Sequence, residues 1–401
     1  MSTAPTAKQL GLHCKVCKAD FSTNYEQMGH HRTDWHQFNI KRWPQRIPSL
    51  TKAEFDTNFG SLSNVTSSEF STYIYTNYIS SKLESGYCIK LLDIGCGDMK
   101  DTMYFLTNGC YVHAVDKNAA PIPGINFIQD DIVNVVQQNK IPMLFDIVYM
   151  RNVLDDTDKK EDIVKNGLNM LKAGGLFCIE NQTAVLTDIL KGYDIEILEI
   201  STRMIVKKPF KNLYETSSNY PLYKAIVPKM TNFAKQSYKD IVIFNRITEK
   251  YSIKYTIVAG SQLGLIRHGG IIPWENTINI GLLQSDFSKL LANKNELAQS
   301  WLKMRIDKRD ERYHFGVLDV YLLKDMGEFY EGLNNTMIHK TEYATLKKHA
   351  FGTTYVYAPI YLEKSLERRY GTKYYSVANV EDGITQPFDL QQEDRSFAYF
   401  A

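Results

Sequence analysis

Between residues 67 and 209 short apolar runs alternate with amphipathic stretches of helical period, and this alternation limits the possible folds more than any other feature. Continuous apolar runs suit strands buried on both faces, and intervening helices suit crossover connections, so the pattern predicts a parallel sheet covered on both sides. Strands are expected at Ile89–Ile94, Tyr111–Val115, Ile125–Ile128, Phe145–Tyr149 and Leu176–Glu180. Helices are expected at Ser68–Leu83, Asp101–Asn108, Ile132–Gln138 and Lys160–Leu171. The last pair, Tyr193–Glu199 and Arg203–Lys207, reads as an antiparallel hairpin closing the sheet.

The segment LLDIGCGDMKDTMYFL puts Gly95 and Gly97 in the turn after the first strand, where missing side chains let a ligand approach the backbone. In YVHAVDKN, Asp116 ends the second strand, where a carboxylate can accept from both hydroxyls of a ribose. A nicotinamide-binding Rossmann domain is the competing reading, but its third glycine is replaced by Lys100. With FIQDDIV, FDIVYMRNVL and LKAGGLFCIE following in order, the segment resembles the class I S-adenosylmethionine-dependent methyltransferases. The resemblance implies that Asp93, Gly95 and Gly97 line the methionine end, that Asp116 holds the ribose and that Asp131 holds the adenine amino group. Asp131 also suits a helix N-cap, and Asp130 suits either role. Arg151 and Asn152 would face the substrate opening and are the catalytic candidates, with no base assignable, while Asp155, Asp156 and Asp158 read as an exposed acidic turn. The Asn/Asp-Pro-Pro-Tyr motif of amino-methylating nucleic-acid enzymes is absent from the fourth strand's end. That end, with Gly-Asp-x-x-Asp-x-x-Tyr-Phe at 97–105, is similar to methyltransferases found beside glycan-processing genes, which implies a sugar, phospho-sugar or other small acceptor.

Near the start, Cys14-x2-Cys17-x12-His30-x5-His36 offers two thiolates from a knuckle and two imidazoles from a following helix, the ligand set of a structural Zn2+ site. His31 is an alternative to His30. So short a segment cannot bury enough apolar area alone, so metal binding is expected to drive its folding around Phe21, Trp35 and Phe38. The run HHRTDWHQFNIKR resembles the zinc finger of the Vms1-like peptidyl-tRNA hydrolase family. That resemblance implies a docking module, or ribosome or RNA contact through Arg32, Lys41 and Arg42. Cys88, Cys96, Cys110 and Cys178 lack a disulfide rhythm and read as reduced packing residues.

Beyond residue 221 the pattern is mixed: a long helix Ala225–Tyr251, a strand Tyr255–Ala259, a turn at Gly260–Ser261 and a helix Gln262–His268. The stretch Tyr255–Gly281, with HFGVLDVYLL and APIYLEKSLERRYG downstream, resembles the LicD/fukutin nucleotidyltransferase-like family. That family carries alternating aspartates on the strand after Pro-Trp, since residues two apart share a strand face and can hold divalent ions together. Here the strand expected at Trp274–Ile280 has Thr277 and Asn279 instead, leaving Glu275 and Asp319 as the acidic remainder of a degenerate Mg2+ or Mn2+ site. Arg267 and His268 suit anion binding, and His268 alternatively suits capping of local backbone groups.

The expected fold class is therefore multidomain α/β: a Cys2His2 zinc finger at 10–45, a linker at 46–66, a Rossmann-like methyltransferase sheet at 67–209, a linker at 210–221, and an α+β nucleotidyltransferase-like domain at 222–395. A formal charge of +2 provides no broad basic field for nucleic acid or anionic membranes, and no apolar run of spanning length occurs. A cytoplasmic setting is the expectation. Three functions compete: a methyltransferase for a small or glycan acceptor, a LicD-like phosphotransferase using a cytidine diphosphate-linked donor, and a non-enzymatic adaptor using the finger.

Overall fold

The computed structural model describes residues 12–42, 49–61, 65–122, 125–138, 140–155, 157–180, 183–193, 195–209, 221–272, 275–300, 302–307, 312–332, 336–380 and 384–389. The linker expected at 210–221, Asp156, Pro273 and Trp274 lie outside these residues except for residue 221 itself, as do the side chains of Lys41 and Arg42.

At the N-terminal end, β1 (His13–Cys14) pairs antiparallel with β2 (Ala19–Asp20), and the helices Asn24–His31 and Asp34–Arg42 follow. Thr23 caps the first by accepting from the Glu26 N–H, so His30 and His36 arrive from two successive helices rather than from the single helix expected. The segment read as a linker carries the helix Lys52–Asn58, closed by a Thr51/Glu54 capping box. Its Phe55 is buried. Asn39 pairs with both backbone groups of Leu50 at 2.9 Å, and the Trp35 indole donates to the same carbonyl at 2.8 Å.

The large central sheet contains β3 (Lys90–Ile94), β4 (Tyr111–Asp116), β5 (Asn126–Gln129), β6 (Phe145–Arg151), β7 (Leu171–Glu180), β8 (Glu196–Ile200) and β9 (Arg203–Lys207). Their order is β5-β4-β3-β6-β7-β9-β8, with the first five parallel and the final hairpin antiparallel. Strand order therefore reverses beside β3, and a crevice opens there at the carboxyl ends of β3, β4 and β6.

Alternate residues divide the sheet between two cores, as the two-residue period of a strand requires. Leu91, Ile147 and Tyr149 face a cluster with Phe70 and Ile74, which continues through Phe55 and Leu50 to Phe38 of the finger. Leu92, Val148 and Met150 face the opposite cluster, with Val135 and Val164. That second cluster runs without interruption into Phe244, Ile278, Leu366 and Tyr374 of the C-terminal region.

The C-terminal region opens with the helix Pro221–Lys250 and a five-stranded mixed sheet. Its strands are β10 (Tyr255–Ile257), β11 (Ile278–Leu282), β12 (Met304–Asp307), β13 (Arg312–Phe315) and β14 (Leu318–Leu322), ordered β10-β11-β14-β13-β12. Two sequence expectations shift. The helix begins at Ala259 and absorbs the expected Gly260–Ser261 turn, and β11 begins at Ile278, so Glu275 precedes the strand. The two large regions are joined through backbone as well as side chains. Cys88 N–H donates to the Lys348 carbonyl at 2.9 Å, Lys348 N–H to the Gly86 carbonyl at 3.3 Å, and the buried Lys90 ammonium meets Glu363 at 3.0 Å. Among the described residues no helix is long and apolar enough to cross a membrane.

Candidate active site and metal centre

The crevice at the switch in strand order is a cavity of about 560 Å³ lined by Asp93, Gly95, Gly97, Asp116, Asp130, Asp131, Arg151 and Asn152 among others. Thus every cofactor-binding candidate in the sheet, and both catalytic candidates, border one space. Gly95 has φ +70°, and a Cβ there would meet Val153 Cγ2 at 2.3 Å, so only glycine permits the loop after β6 to press on this turn. Gly97 has φ +51° with open space before it, which leaves its backbone accessible. Its N–H donates to Asp116 Oδ2 at 3.0 Å, while Asp116 Oδ1 accepts from Asn118 N–H at 2.7 Å and Ala119 N–H at 2.9 Å. Burial pushes the Asp116 carboxyl up, but these backbone donors outweigh it and hold the group below its ordinary value. With three of about four acceptor positions on the carboxylate filled, Oδ2 keeps room to accept from a ribose hydroxyl.

Asp93 has the opposite environment. It is buried, accepts from the Thr102 hydroxyl at 2.5 Å, and is pushed up to about 7 by desolvation despite that bond. Asp131 caps the helix Ile132–Gln137 by accepting from Val133 N–H at 2.9 Å and also lines the cavity, so both readings of it hold a geometric basis. Asp130 is engaged by Asn134 and Lys140.

The sequence did not reveal what supports Arg151. Its Nε donates to Asp101 Oδ2 at 2.7 Å. Buried Asp101 also accepts from Ser68 N–H (2.8 Å), Ser68 Oγ (3.1 Å), Ser71 Oγ (2.7 Å) and Tyr149 OH (2.9 Å). Burial opposes ionisation, yet the donors from Ser71, Ser68 and Arg151 prevail and lower the Asp101 pKa. Asn152, the next residue, has φ +55°, a left-handed conformation that asparagine tolerates better than most residues.

The ligand atoms of Cys14, Cys17, His30 and His36 all lie within 4.8 Å of one another, and all four residues are buried. His36 Nδ1 is 3.5 Å from Cys14 Sγ, 3.6 Å from Cys17 Sγ and 3.1 Å from His30 Nε2. Tetrahedral zinc with bonds of roughly 2.0–2.3 Å separates its ligands by about 3.3–3.8 Å, so the set fits with minor adjustment. Asn39 Nδ2 donates to Cys17 Sγ at 3.4 Å, and burial pushes His30 down to about 4, keeping that imidazole neutral as a metal ligand requires. His31, the alternative ligand, is exposed and outside this set.

In the C-terminal sheet, β11 and β14 run parallel with Asn279 opposite Asp319, and β13 places His314 opposite Asp319 on the other side. Asp319 is buried, and His314 Nδ1 lies 2.6 Å from Oδ1, while Oδ2 receives Arg312 and Tyr321 at 3.4 Å. Thr277 donates to Asn279 Oδ1 at 3.4 Å. Glu275 precedes the strand, its Oε1 3.1 Å from where a Gly260 Cβ would stand, and the adjoining Ser261 hydroxyl accepts from the Asn279 N–H at 2.8 Å. Arg267 is buried and donates to the carbonyls of Tyr374 (3.2 Å) and Val377 (2.9 Å), and burial lowers the His268 pKa well below its ordinary value. Arg267 thus ties the helix end to a distant segment, and both side chains are buried.

The glycine turn and aspartates at the reversal of a largely parallel sheet define a methyltransferase domain, and residues 92–179 match the family described as "Methyltransferase domain". Residues 252–357 match "LicD/FKTN/FKRP, nucleotidyltransferase domain". The chain thus combines a methyltransferase domain with a LicD domain behind a Cys2His2 cluster resembling those of ribosome-biogenesis and tRNA-endonuclease proteins. Among its relatives, the uncharacterized protein RT0683 of Rickettsia typhi is 29% identical over 31% of this chain and 42% of its own length. The "Cytoplasmic 60S subunit biogenesis factor REI1 homolog 2" of Arabidopsis thaliana is 39% identical over 12% of each chain. The human "tRNA endonuclease ANKZF1" is 36% identical over 14% of this chain and 8% of its own. The chain therefore matches less than half the length of each of these relatives.

Proposed function

We propose that the chain transfers methyl groups from S-adenosylmethionine to a small acceptor, a sugar or phospho-sugar being the favoured class. The observation supporting this most directly is the Asp116 carboxylate, fixed by three backbone N–H groups on the wall of a 560 Å³ cavity beside Gly95 and Gly97. That volume lies within the usual range for small-molecule sites, roughly 300–1,000 Å³. Asp93, Gly95 and Gly97 would hold the methionine end, Asp116 the ribose and Asp131 the adenine amino group. S-adenosylmethionine supplies a methyl carbon bonded to a sulfonium. The protein's part is to align the acceptor with that carbon and exclude water. Isothermal titration should show S-adenosylhomocysteine binding to the full chain and at least tenfold weaker binding to Asp116→Ala. Equal affinity in the variant would sink the site assignment.

In the LicD domain Asp319 is committed to His314, Arg312 and Tyr321, and its strand neighbour is neutral Asn279. This domain serves as architecture rather than as a two-metal phosphotransferase, because the charge that holds two dications is missing. Transfer from a cytidine diphosphate-linked donor with magnesium or manganese, lost in Asp319→Asn, would overturn that reading. A second role is supported at the finger, where Lys15, Lys18, Arg32 and Tyr25 are exposed. These groups suit phosphate contact and base stacking on ribosomal or other structured RNA. Ribosome co-sedimentation that survives a Lys15→Glu/Arg32→Glu variant would count against it.

A further inference from the structure

We propose that the cavity's acceptor is an oxyanion, a phosphate ester or a carboxylate, seated on the outer edge of the Arg151 guanidinium; this rests on the methyltransferase reading above. Arg151 lines the cavity and has a side chain 34% exposed. Its Nε is taken by Asp101, and no hydrogen bond among the described residues uses its two terminal amino groups. A guanidinium held by one edge presents the other as a planar pair of donors, a match for two oxygens of a carboxylate or phosphate.

The support behind Arg151 exceeds what a surface ion pair needs. Asp101 is buried, and four donors besides Arg151 converge on it from Ser68, Ser71 and Tyr149. Burying a carboxylate is costly unless it is saturated with donors, and this one is saturated in a way that fixes the guanidinium's direction. Immediately after Arg151, the left-handed Asn152 turns the chain so that Val153 presses on Gly95. Arg151 is thereby tied to the glycine turn on which the sulfonium end of the cofactor would rest.

Electrostatics narrow the places where an acidic acceptor can sit. The remaining wall carries Asp93, Asp98, Asp116, Asp130 and Asp131, with Lys117 as a further cation. Asp98 pairs with Lys100, and Asp130 pairs with Lys140. An anion at the outer edge of Arg151 gains from the guanidinium and from the neighbouring sulfonium, against the opposing charge of Glu180, which stands opposite Arg151 on β7. In the transfer, an acceptor lone pair forms the bond to the methyl carbon while the sulfur–carbon bond breaks. Its electrons return to sulfur, giving neutral S-adenosylhomocysteine, and the acceptor's proton leaves to solvent. The anionic group of the acceptor anchors it and does not itself need to react.

The test measures coupling between S-adenosylmethionine, which carries the sulfonium, and two probes, inorganic phosphate and acetate, at constant ionic strength set with chloride. On the wild-type full chain, one probe should tighten S-adenosylmethionine binding roughly fivefold or more, with the reciprocal effect on the probe. Preference for phosphate would assign a phosphate ester, and preference for acetate a carboxylate. The coupling should vanish in Arg151→Met and persist in weakened form in Arg151→Lys, which keeps the charge but loses the fork. Undiminished coupling in Arg151→Met, or no coupling to either probe while S-adenosylmethionine binds the wild type, overturns the proposal. Absence of S-adenosylmethionine binding to the wild type overturns the underlying methyltransferase reading together with it.

Discussion

Asp93 and Asp116 stand at the ends of neighbouring strands and are shifted in opposite directions. Asp116 meets three backbone donors and stays ionised, whereas Asp93 is desolvated and moves from the ordinary 3.8 to about 7. Between those two values the folded chain holds one more proton at Asp93 than the unfolded chain. Stability from this group is fully present below 3.8 and is lost as pH rises through 7, at about 1.4 kcal/mol per pH unit. Urea unfolding at pH 5 and pH 7 should therefore show a fall in wild type that is absent in Asp93→Asn. An identical fall in both would mean that Asp93 is not the group responsible. Gly95, Gly97 and Asp116 were legible because a strand–turn–helix pattern fixes their places in one local unit. Asp101 was not, since its partners Ser68 and Tyr149 come from elements 33 and 48 residues away. Sequence spacing carries no record of such side-chain meetings until the sheet order is known.

Elements were read well where periodicity was strong and less well where a single residue decides a boundary. The five parallel strands overlap the expected segments, but β7 begins at Leu171, a residue expected to end the preceding helix, and Glu275 was assigned to a strand that begins at Ile278. The helix Lys52–Asn58 was missed inside a presumed connector because one buried aromatic, Phe55, makes too weak a pattern. The glycine turn tests the geometry directly. Gly95→Ala must both adopt φ near +70° and displace Val153, so S-adenosylhomocysteine affinity should fall at least tenfold with little change in circular dichroism. Wild-type affinity would show that this turn relaxes at no cost. The finger supplies a second test. Its Phe38 packs into the cluster with Phe55 and Phe70, and Ser68 and Ser71 beside Phe70 hold Asp101. Chelation of the metal, or Cys14→Ser, should lower the melting temperature of the full chain by several degrees or more. Unchanged melting would mean that the finger is an appendage rather than part of the core.

For the molecule as a whole, the decisive feature is the apolar cluster that passes from the methyltransferase sheet into the LicD domain around buried ionic groups. Lys90 has only 1% of its side chain exposed and meets Glu363 at 3.0 Å, while Lys172 meets Asp146 at 2.7 Å nearby. Removing one member of such a pair strands a buried charge, so Glu363→Ala should cost on the order of 3–5 kcal/mol. Replacing both members, as in Lys90→Met/Glu363→Leu, should recover most of the loss. Unfolding followed in the two domains by separate probes should coincide, and two well-separated transitions would contradict the shared core. The division into three regions was legible from local motifs, whereas their union was not, because no motif encodes which surfaces meet. The backbone pairing of Cys88 with Lys348 joins the LicD domain to the strand that leads into the glycine turn. Loss of the C-terminal half would uncover the back of that strand. The LicD fold thus helps to hold the cavity in place through its packing, independently of any chemistry at Thr277 and Asn279.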